Sequence, residues 1–423
     1  MRNILFITLV ATLGGLLFGY DTAVISGAIG FLRDYFELSD AMVGWAASSA
    51  LVGCIIGVAF AGWFSDRFGR RTTLMAAALL FVVSALGTSL PRSFDFFVFF
   101  RILGGVGVGA ASMTSPMYIA EIAPAKIRGR LVSLNQLTIV SGMLLVYFVN
   151  YFIEGLGDAT WNIRSGWRWM FASEALPANI LLVSLFFVPE SPRWVPRSAR
   201  QGNDWRLLFS GKLRKVLVIG IVLAILQQVT GINVILYYGP ELFKNIAGAA
   251  VDSALLQTVV IGVTNVAFTV VAIRLVDRVG RKPLMIVGAA GMGICLTAVG
   301  LAAYFGAIGG WLLLFMVGYI AFFAISVGPV TWVILSEIFP SRIRGRALGI
   351  ATLFLWSANW LVSQTFPMLD GSETLIRLFN HGFPFWLYAI FCLVLLIFMM
   401  TMVPETKGKT LEEIEEEGVT SDE

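Results

Sequence analysis

Hydrophobic residues in this chain gather into long runs, and the charge between them gathers into short clusters. Twelve runs can be drawn, at 4–30, 42–64, 72–90, 96–120, 129–153 and 169–188, then at 216–245, 253–276, 283–305, 311–336, 346–369 and 382–403. A helix rises about 1.5 Å per residue, so about 20 residues cross the roughly 30 Å hydrocarbon layer of a bilayer. The pattern predicts an all-α membrane protein of twelve transmembrane helices.

Composition points the same way. The chain is 58% hydrophobic and only 13% charged, with a mean hydropathy of +0.83, whereas soluble domains carry about a quarter charged residues. Its 33 Phe, 43 Gly and 12 Trp suit closely packed membrane helices with aromatic residues at the interfaces. A net charge of +4 would suit nucleic acid if it were concentrated, but the basic residues are dispersed among the apolar runs. Their pattern is topological. All but seven of the 30 Lys and Arg lie in the terminal segments, in the loops after runs 2, 4, 6, 8 and 10, or at the run ends beside those loops; the seven are Arg33, Arg92, Arg101, Arg164, Arg168, Lys244 and Arg377. By the positive-inside rule both termini are cytoplasmic. Cys54, Cys295 and Cys392 each fall inside an apolar run, which gives neither a disulfide framework nor a metal spacing. The first run is too long for a signal-peptide core and contains Asp21, so no cleavable leader is expected.

The two sets of six runs are related by an internal repeat. Asp66-Arg67-Phe68-Gly69-Arg70-Arg71 recurs as Asp277-Arg278-Val279-Gly280-Arg281-Lys282, an offset of 211. Glu121-Ile122-Ala123-Pro124 with Ile127-Arg128-Gly129-Arg130 recurs as Glu337-Ile338-Phe339-Pro340 with Ile343-Arg344-Gly345-Arg346, an offset of 216. Pro189-Glu190-Ser191 recurs as Pro404-Glu405-Thr406, an offset of 215. The expected organisation is a six-helix half at 1–188, a short cytoplasmic linker at 189–215, a second half at 216–403 and a cytoplasmic tail at 404–423. Parallel repeats of this kind place a substrate site near the midplane and rock about it.

Ionisable residues inside such runs are costly, about 2.5–3.5 kcal/mol on insertion scales, and are functional by default. Asp21 lies within Gly14-Gly15-Leu16-Leu17-Phe18-Gly19-Tyr20-Asp21, roughly 25 Å into the layer from its cytoplasmic start. Arg101 and Glu174 fall at a similar depth on separate runs, which points to a proton site. A second set carries no charge and is mostly amide: Gln136 with Ile139 in run 5, Gln227, Gln228 and Asn233 in run 7, Asn265 in run 8 and Trp356 in run 11. Side-chain amides donate and accept together, as a sugar hydroxyl does, and an indole offers a face for stacking. Run 7 is expected to break at Gly231 and again at Gly239-Pro240, beside Tyr237 and Tyr238. Gly328-Pro329 is expected to interrupt run 10 ahead of Trp332.

The repeated Asp-Arg-x-Gly-Arg-Arg and Arg-Gly-Arg loops, with Pro189-Glu190-Ser191-Pro192-Arg193-Trp194 and Pro404-Glu405-Thr406-Lys407-Gly408, resemble the sugar porter branch of the major facilitator superfamily over nearly the whole chain. One departure is the linker after Trp194, much shorter than is usual there. The resemblance implies a monomeric transporter in a bacterial inner membrane that moves a xylose-like pentose or a hexose with a proton by alternating access. It implies no enzyme activity and no cofactor. Passive facilitation, and sugar sensing without transport, are the alternatives. Proton-coupled members carry Asp after Phe-Gly-Tyr, where passive members carry an uncharged residue. By position, Phe18, Gln136, Ile139, Gln227, Gln228, Asn233, Tyr237, Asn265, Gly328, Trp332 and Trp356 match sugar-contacting residues. Met143 and Leu355 stand where glutamines are expected, so the substrate preference is expected to differ. The resemblance also implies a cytoplasmic gate of Asp66, Arg70, Glu121, Arg128 and Glu190, mirrored by Asp277, Arg281, Glu337, Arg344 and Glu405. Gly105-Val106-Gly107-Val108-Gly109 has the look of a dinucleotide loop but lies within a run, where small residues serve helix packing. The single histidine, His381, makes a metal or catalytic triad improbable.

Overall fold

A computed structural model describes residues 2–124, 128–192, 194, 211–247, 251–306, 311–339 and 344–407. Most of the expected linker and of the tail beyond 407 lies outside the described residues, as do the side chains of Arg128, Asp277 and Arg344. The first five runs are single helices: α1 (Arg2–Phe36), α2 (Asp40–Phe68), α3 (Arg70–Ser89), α4 (Phe94–Ile122) and α5 (Arg128–Glu154). The sixth is α6 (Ala159–Trp161), a π-helical turn at Asn162–Gly166, α7 (Trp167–Ala172) and α8 (Ala175–Leu185). The seventh is α9 (Gly211–Val229) and α10 (Ile232–Ala247), followed by α11 (Val251–Val279) and α12 (Arg281–Tyr304). The tenth is α13 (Trp311–Phe322), a π turn at Phe323–Val327 and α14 (Gly328–Ile338). The eleventh is α15 (Arg344–Asp370); a short α16 (Glu373–Phe379) then leads to α17 (Phe383–Thr401). No strand occurs among the described residues.

Among the described residues, ten helices are long and apolar enough to cross a membrane. The sixth run falls short because its breaks divide it. In α15 the length suffices, but Ser357, Asn359, Ser363 and Gln364 hold its hydropathy down. Most helices run a turn or so past the apolar stretch that announces them. The sixth starts ten residues before its expected start at 169, because charge at Arg164 and Arg168 conceals it. Arg168 is accommodated by stacking, with its guanidinium 4.3 Å from the Trp167 ring and 5.0 Å from that of Tyr35.

The breaks have local causes. Proline at position i supplies no N–H to the carbonyl of i−4. Pro177 thereby frees the carbonyl of Ser173, which accepts Leu176 N at 3.3 Å instead, and segment six turns at Ser173–Glu174. The seventh run breaks at Gly231 as expected, with φ +90°. Gly239-Pro240 does not break it, and α10 continues through Pro240. The carbonyl that Pro240 frees is that of Leu236, and the Tyr147 hydroxyl donates to it at 2.9 Å. Pro367, inside α15, frees Ser363 O in the same way, and Tyr238 OH donates there at 2.8 Å. Tyr319 OH serves Thr230 O, next to the Gly231 break, at 2.9 Å. Buried carbonyls are thus satisfied where helices depart from regularity.

The chain forms two compact units. One comprises Met1–Arg200, Asn233–Val263 and Ser363–Gly371; the other comprises Gln201–Ile232, Thr264–Val362 and Ser372–Glu423. In the first unit, backbones approach closely wherever glycine allows it. A methyl at Gly105 would lie 1.8 Å from Ala50 O, and one at Gly19 would lie 1.9 Å from Ile139 O, which fixes α4 on α2 and α5 on α1. The Gly105-x-Gly-x-Gly stretch is therefore a packing face. Gln364 joins α15 to α2 in this unit, accepting from Ser48 Oγ at 2.7 Å and donating to Ala41 O at 3.0 Å.

Candidate functional site

Asp21, Arg101 and Glu174 come together in the interior of the first unit, each about 1% exposed. Arg101 Nη1 donates to Asp21 Oδ1 at 2.7 Å and to Asp21 O at 3.2 Å. The Glu174 carboxyl lies close enough to Asp21 and Arg101 to interact with both. Three elements deliver them: α1, the N-terminal part of α4, and the turn that Pro177 forces in segment six. Gly104 keeps the corner open, since a methyl there would lie 2.4 Å from Ser84 Oγ and 3.5 Å from Asp21 Oδ1. The Arg101 guanidinium also sits 5.6 Å from the centre of the Phe171 ring. Asp21 Oδ2, Glu174 Oε1 and Arg101 Nε have no donor or acceptor among the described residues.

The charge count of this cluster is its chemistry. Two carboxyls and one guanidinium are neutral together only when they hold one proton. Net charge in a medium of low dielectric is costly, and a buried ion pair is by itself weak support for a fold. The arrangement is therefore suited to binding and releasing a proton.

At the helix ends that carry the repeated motifs, the two units build the same cluster twice. Arg70, 2% exposed, holds Glu121 through Nη2 at 3.0 Å and Asp66 through Nη1 at 3.2 Å, and donates to Ser65 O at 2.8 Å. Glu190 accepts from the backbone N–H of Arg70 at 2.8 Å and of Arg71 at 3.1 Å, while Ser191 Oγ donates to Glu121. In the second unit Arg281 holds Glu337 at 2.8 Å and donates to Val276 O at 3.1 Å. Glu405 accepts from Arg281 N at 3.1 Å and Lys282 N at 3.0 Å, and Thr406 Oγ1 donates to Glu337 at 2.5 Å. Glycine is needed at both corners: Gly69 has φ +98° and a methyl there would meet Glu190 at 2.2 Å, while Gly280 has φ +107° and meets Glu405 at 2.9 Å. Partial burial pushes the Glu405 carboxyl upward, but the backbone N–H groups of Lys407, Arg281, Lys282 and Thr406 outweigh it and hold the group below its ordinary value. The ion pairs Arg70–Glu121 and Arg281–Glu337 each close within one unit and bind the ends of its helices together.

The expected sugar-contacting residues divide between the units. Phe18, Gln136, Ile139, Asn233 and Tyr237 belong to the first, with Met143; Gln227, Gln228, Asn265, Gly328, Trp332 and Trp356 belong to the second, with Leu355. All are buried except Phe18, Gln136 and Trp332, which are half-buried. In the second unit Gln227 Nε2 donates to the carbonyls of Val327 and Gly328, both at 3.1 Å, and so ties α9 to the π turn. Gln228 Nε2 donates to Gln227 Oε1 at 3.4 Å. Tyr20 and Ser173 were not expected at the proton cluster. Their hydroxyls meet at 2.8 Å beside it, and only their positions next to Asp21 and Glu174 hint at this.

Comparison with known proteins places these features in context. A model of the family described as "Sugar (and other) transporter" matches residues 7–201 and 195–417. The chain is 49% identical to the D-xylose-proton symporter of Escherichia coli (strain K12) over 97% of this chain and 94% of that protein. It is 42% identical to the arabinose-proton symporter of Bacillus subtilis (strain 168), over 98% of this chain and 95% of the other. A crystal structure of a D-xylose-proton symporter superposes with a TM-score of 0.88 at 51% identity, covering 96% of this chain and all of the other.

Proposed function

The chain belongs to the sugar transporter family, with the major facilitator fold, and on that premise we propose that it carries a monosaccharide together with a proton across a bacterial inner membrane. The observation that carries this reading is the buried cluster of two carboxyls and one guanidinium, which is neutral with one proton bound. Proton entry neutralises Asp21 and frees Arg101 from its ion pair, while Glu174 beside Asp21 modulates that exchange. The loaded, neutral form then reorients, and the empty, charged form does so reluctantly. The names of the relatives support a pentose as first substrate. Met143 and Leu355, both buried, supply no amide to a hydroxyl, and a missing hydrogen-bond partner alters sugar preference more than a methylene does.

The chain crosses the membrane twelve times in this reading and acts as a monomer in the bilayer. Both termini and the motif clusters lie on the cytoplasmic side, where Arg70 with Glu121 and Arg281 with Glu337 brace the gate of each unit. The energy suffices: a proton descending about 100 mV yields roughly 2.3 kcal/mol, and one pH unit adds about 1.4. Together they sustain accumulation of roughly a few hundredfold. Labelled xylose and glucose uptake into proteoliposomes, with and without an inward proton gradient, tests the role of Asp21. The gradient is expected to drive accumulation in the unmodified protein, and Asp21→Asn is expected to abolish accumulation while sparing counterflow. Accumulation undiminished by Asp21→Asn would place coupling elsewhere.

A further inference from the structure

We propose that Tyr20 and Ser173 are positioning residues of the proton cluster, a hydroxyl pair that clamps the turn in segment six against α1 and holds Glu174 opposite Asp21. The inference rests on the proton reading of that cluster. Tyr20 and Asp21 are consecutive on α1, and Ser173 and Glu174 are consecutive on the turn, so the two neighbouring pairs face each other across one interface. Ser173 Oγ donates to Met170 O at 2.5 Å. A serine hydroxyl has one proton. Tyr20 OH, 2.8 Å away, is therefore the donor to Ser173 Oγ.

The clamp sits where the helical ladder is loosened. Pro177 leaves Ser173 O with a long bond from Leu176 N at 3.3 Å, and Glu174 N reaches Phe171 O at 3.3 Å. These two long bonds lie at the turn that aims a carboxyl into an apolar interior, between the shorter bonds from Ser173 N to Trp169 O at 3.0 Å and from Ala178 N to Glu174 O at 3.1 Å. The Tyr20 ring is itself fixed, at 2% exposure, and its phenol adds a contact that reaches across to the turn. Without that contact Glu174 swings relative to Asp21, and the energy of sharing a proton between them changes.

The groups around the two carboxyls are few. Arg101 faces them from α4, and the Cys54 thiol of α2 is close enough to interact with Asp21 and Arg101. Tyr20 lies within electrostatic reach of Glu174. From α3 the nearest contribution is the Ser84 hydroxyl beside Gly104, and α5 presents the backbone of Ile139 and Gly142 to α1.

The test is the pH dependence of gradient-driven labelled xylose uptake by the full chain in proteoliposomes, for the unmodified protein, Tyr20→Phe, Ser173→Ala and the double variant. Counterflow at equal pH and thermal unfolding run alongside. The uptake midpoint is expected to move by half a pH unit or more in each single variant, in the same direction, with the double variant moving no further because the two groups form one contact. Counterflow is expected to stay within twofold. A coupled unmodified protein whose variants lose stability or rate with no change in midpoint, or whose shifts add, overturns the clamp and leaves the proton reading standing. An unmodified protein without gradient-driven uptake overturns both.

Discussion

Arg101 faces two carboxyls, Asp21 and Glu174, and all three side chains are about 1% exposed. Losing either carboxyl still leaves a one-to-one pair, whereas losing both leaves a buried cation alone. Removing the partner of a buried charge costs about 3–5 kcal/mol. Asp21→Asn and Glu174→Gln are therefore each expected to unfold near the unmodified protein, and the double variant to lose most of that amount. Thermal unfolding of the three variants checks this; a double variant as stable as either single one would mean that Arg101 does not depend on the pair. These three residues were legible in the sequence because an ionisable group in an apolar run stands out by its cost. Tyr20 and Ser173 were not, because hydroxyls are common and inexpensive in such runs. Gly69 and Gly280 declared themselves through the repeat alone; their need for positive φ, and for a carboxylate where a side chain would be, emerges only when Glu190 and Glu405 arrive from more than a hundred residues away.

Among the helices, the informative places are those where the regular ladder fails. Tyrosine hydroxyls from other helices take the carbonyls that Pro240, Pro367 and the Gly231 turn release. The proline at 240 therefore neither breaks nor ends α10. Sequence reasoning placed a break there because it registered the missing donor, while the replacement comes from Tyr147, far off in the chain. Tyr147→Phe keeps the ring and strands the Leu236 carbonyl, which is expected to cost about 1–3 kcal/mol. It is also expected to speed amide exchange in the outer part of α10, the half away from Gly231. Unchanged exchange there, with unchanged unfolding temperature, would show that the carbonyl finds another donor. The long helices were otherwise readable to within a few residues, since length and apolarity mark them. Segment six was read short, because Arg164 and Arg168 resemble a loop until Trp167 and Tyr35 are seen to receive the guanidinium of Arg168.

For the whole molecule, the repeat carries the account. Offsets between 211 and 216 residues foretold that the two units would build their motif ends alike; Arg70–Glu121 is matched by Arg281–Glu337, and Glu190 and Glu405 each accept from the two backbone N–H groups that open the following helix. The first compact unit also takes in 233–263 and 363–371 from the second half of the sequence. Hydrogen bonds such as Ser48 to Gln364 and Tyr147 to Leu236 hold those stretches there, and no local pattern announces them. The central claim is that sugar moves together with protons, and it is tested most directly by the pH outside lightly buffered proteoliposomes held at zero potential with no pH gradient. When xylose is added, the external solution is expected to turn alkaline at a rate that follows sugar entry, and Asp21→Asn is expected to admit the sugar without that change. Xylose entry by the unmodified protein with no alkalinisation would contradict the account and leave a facilitator in its place.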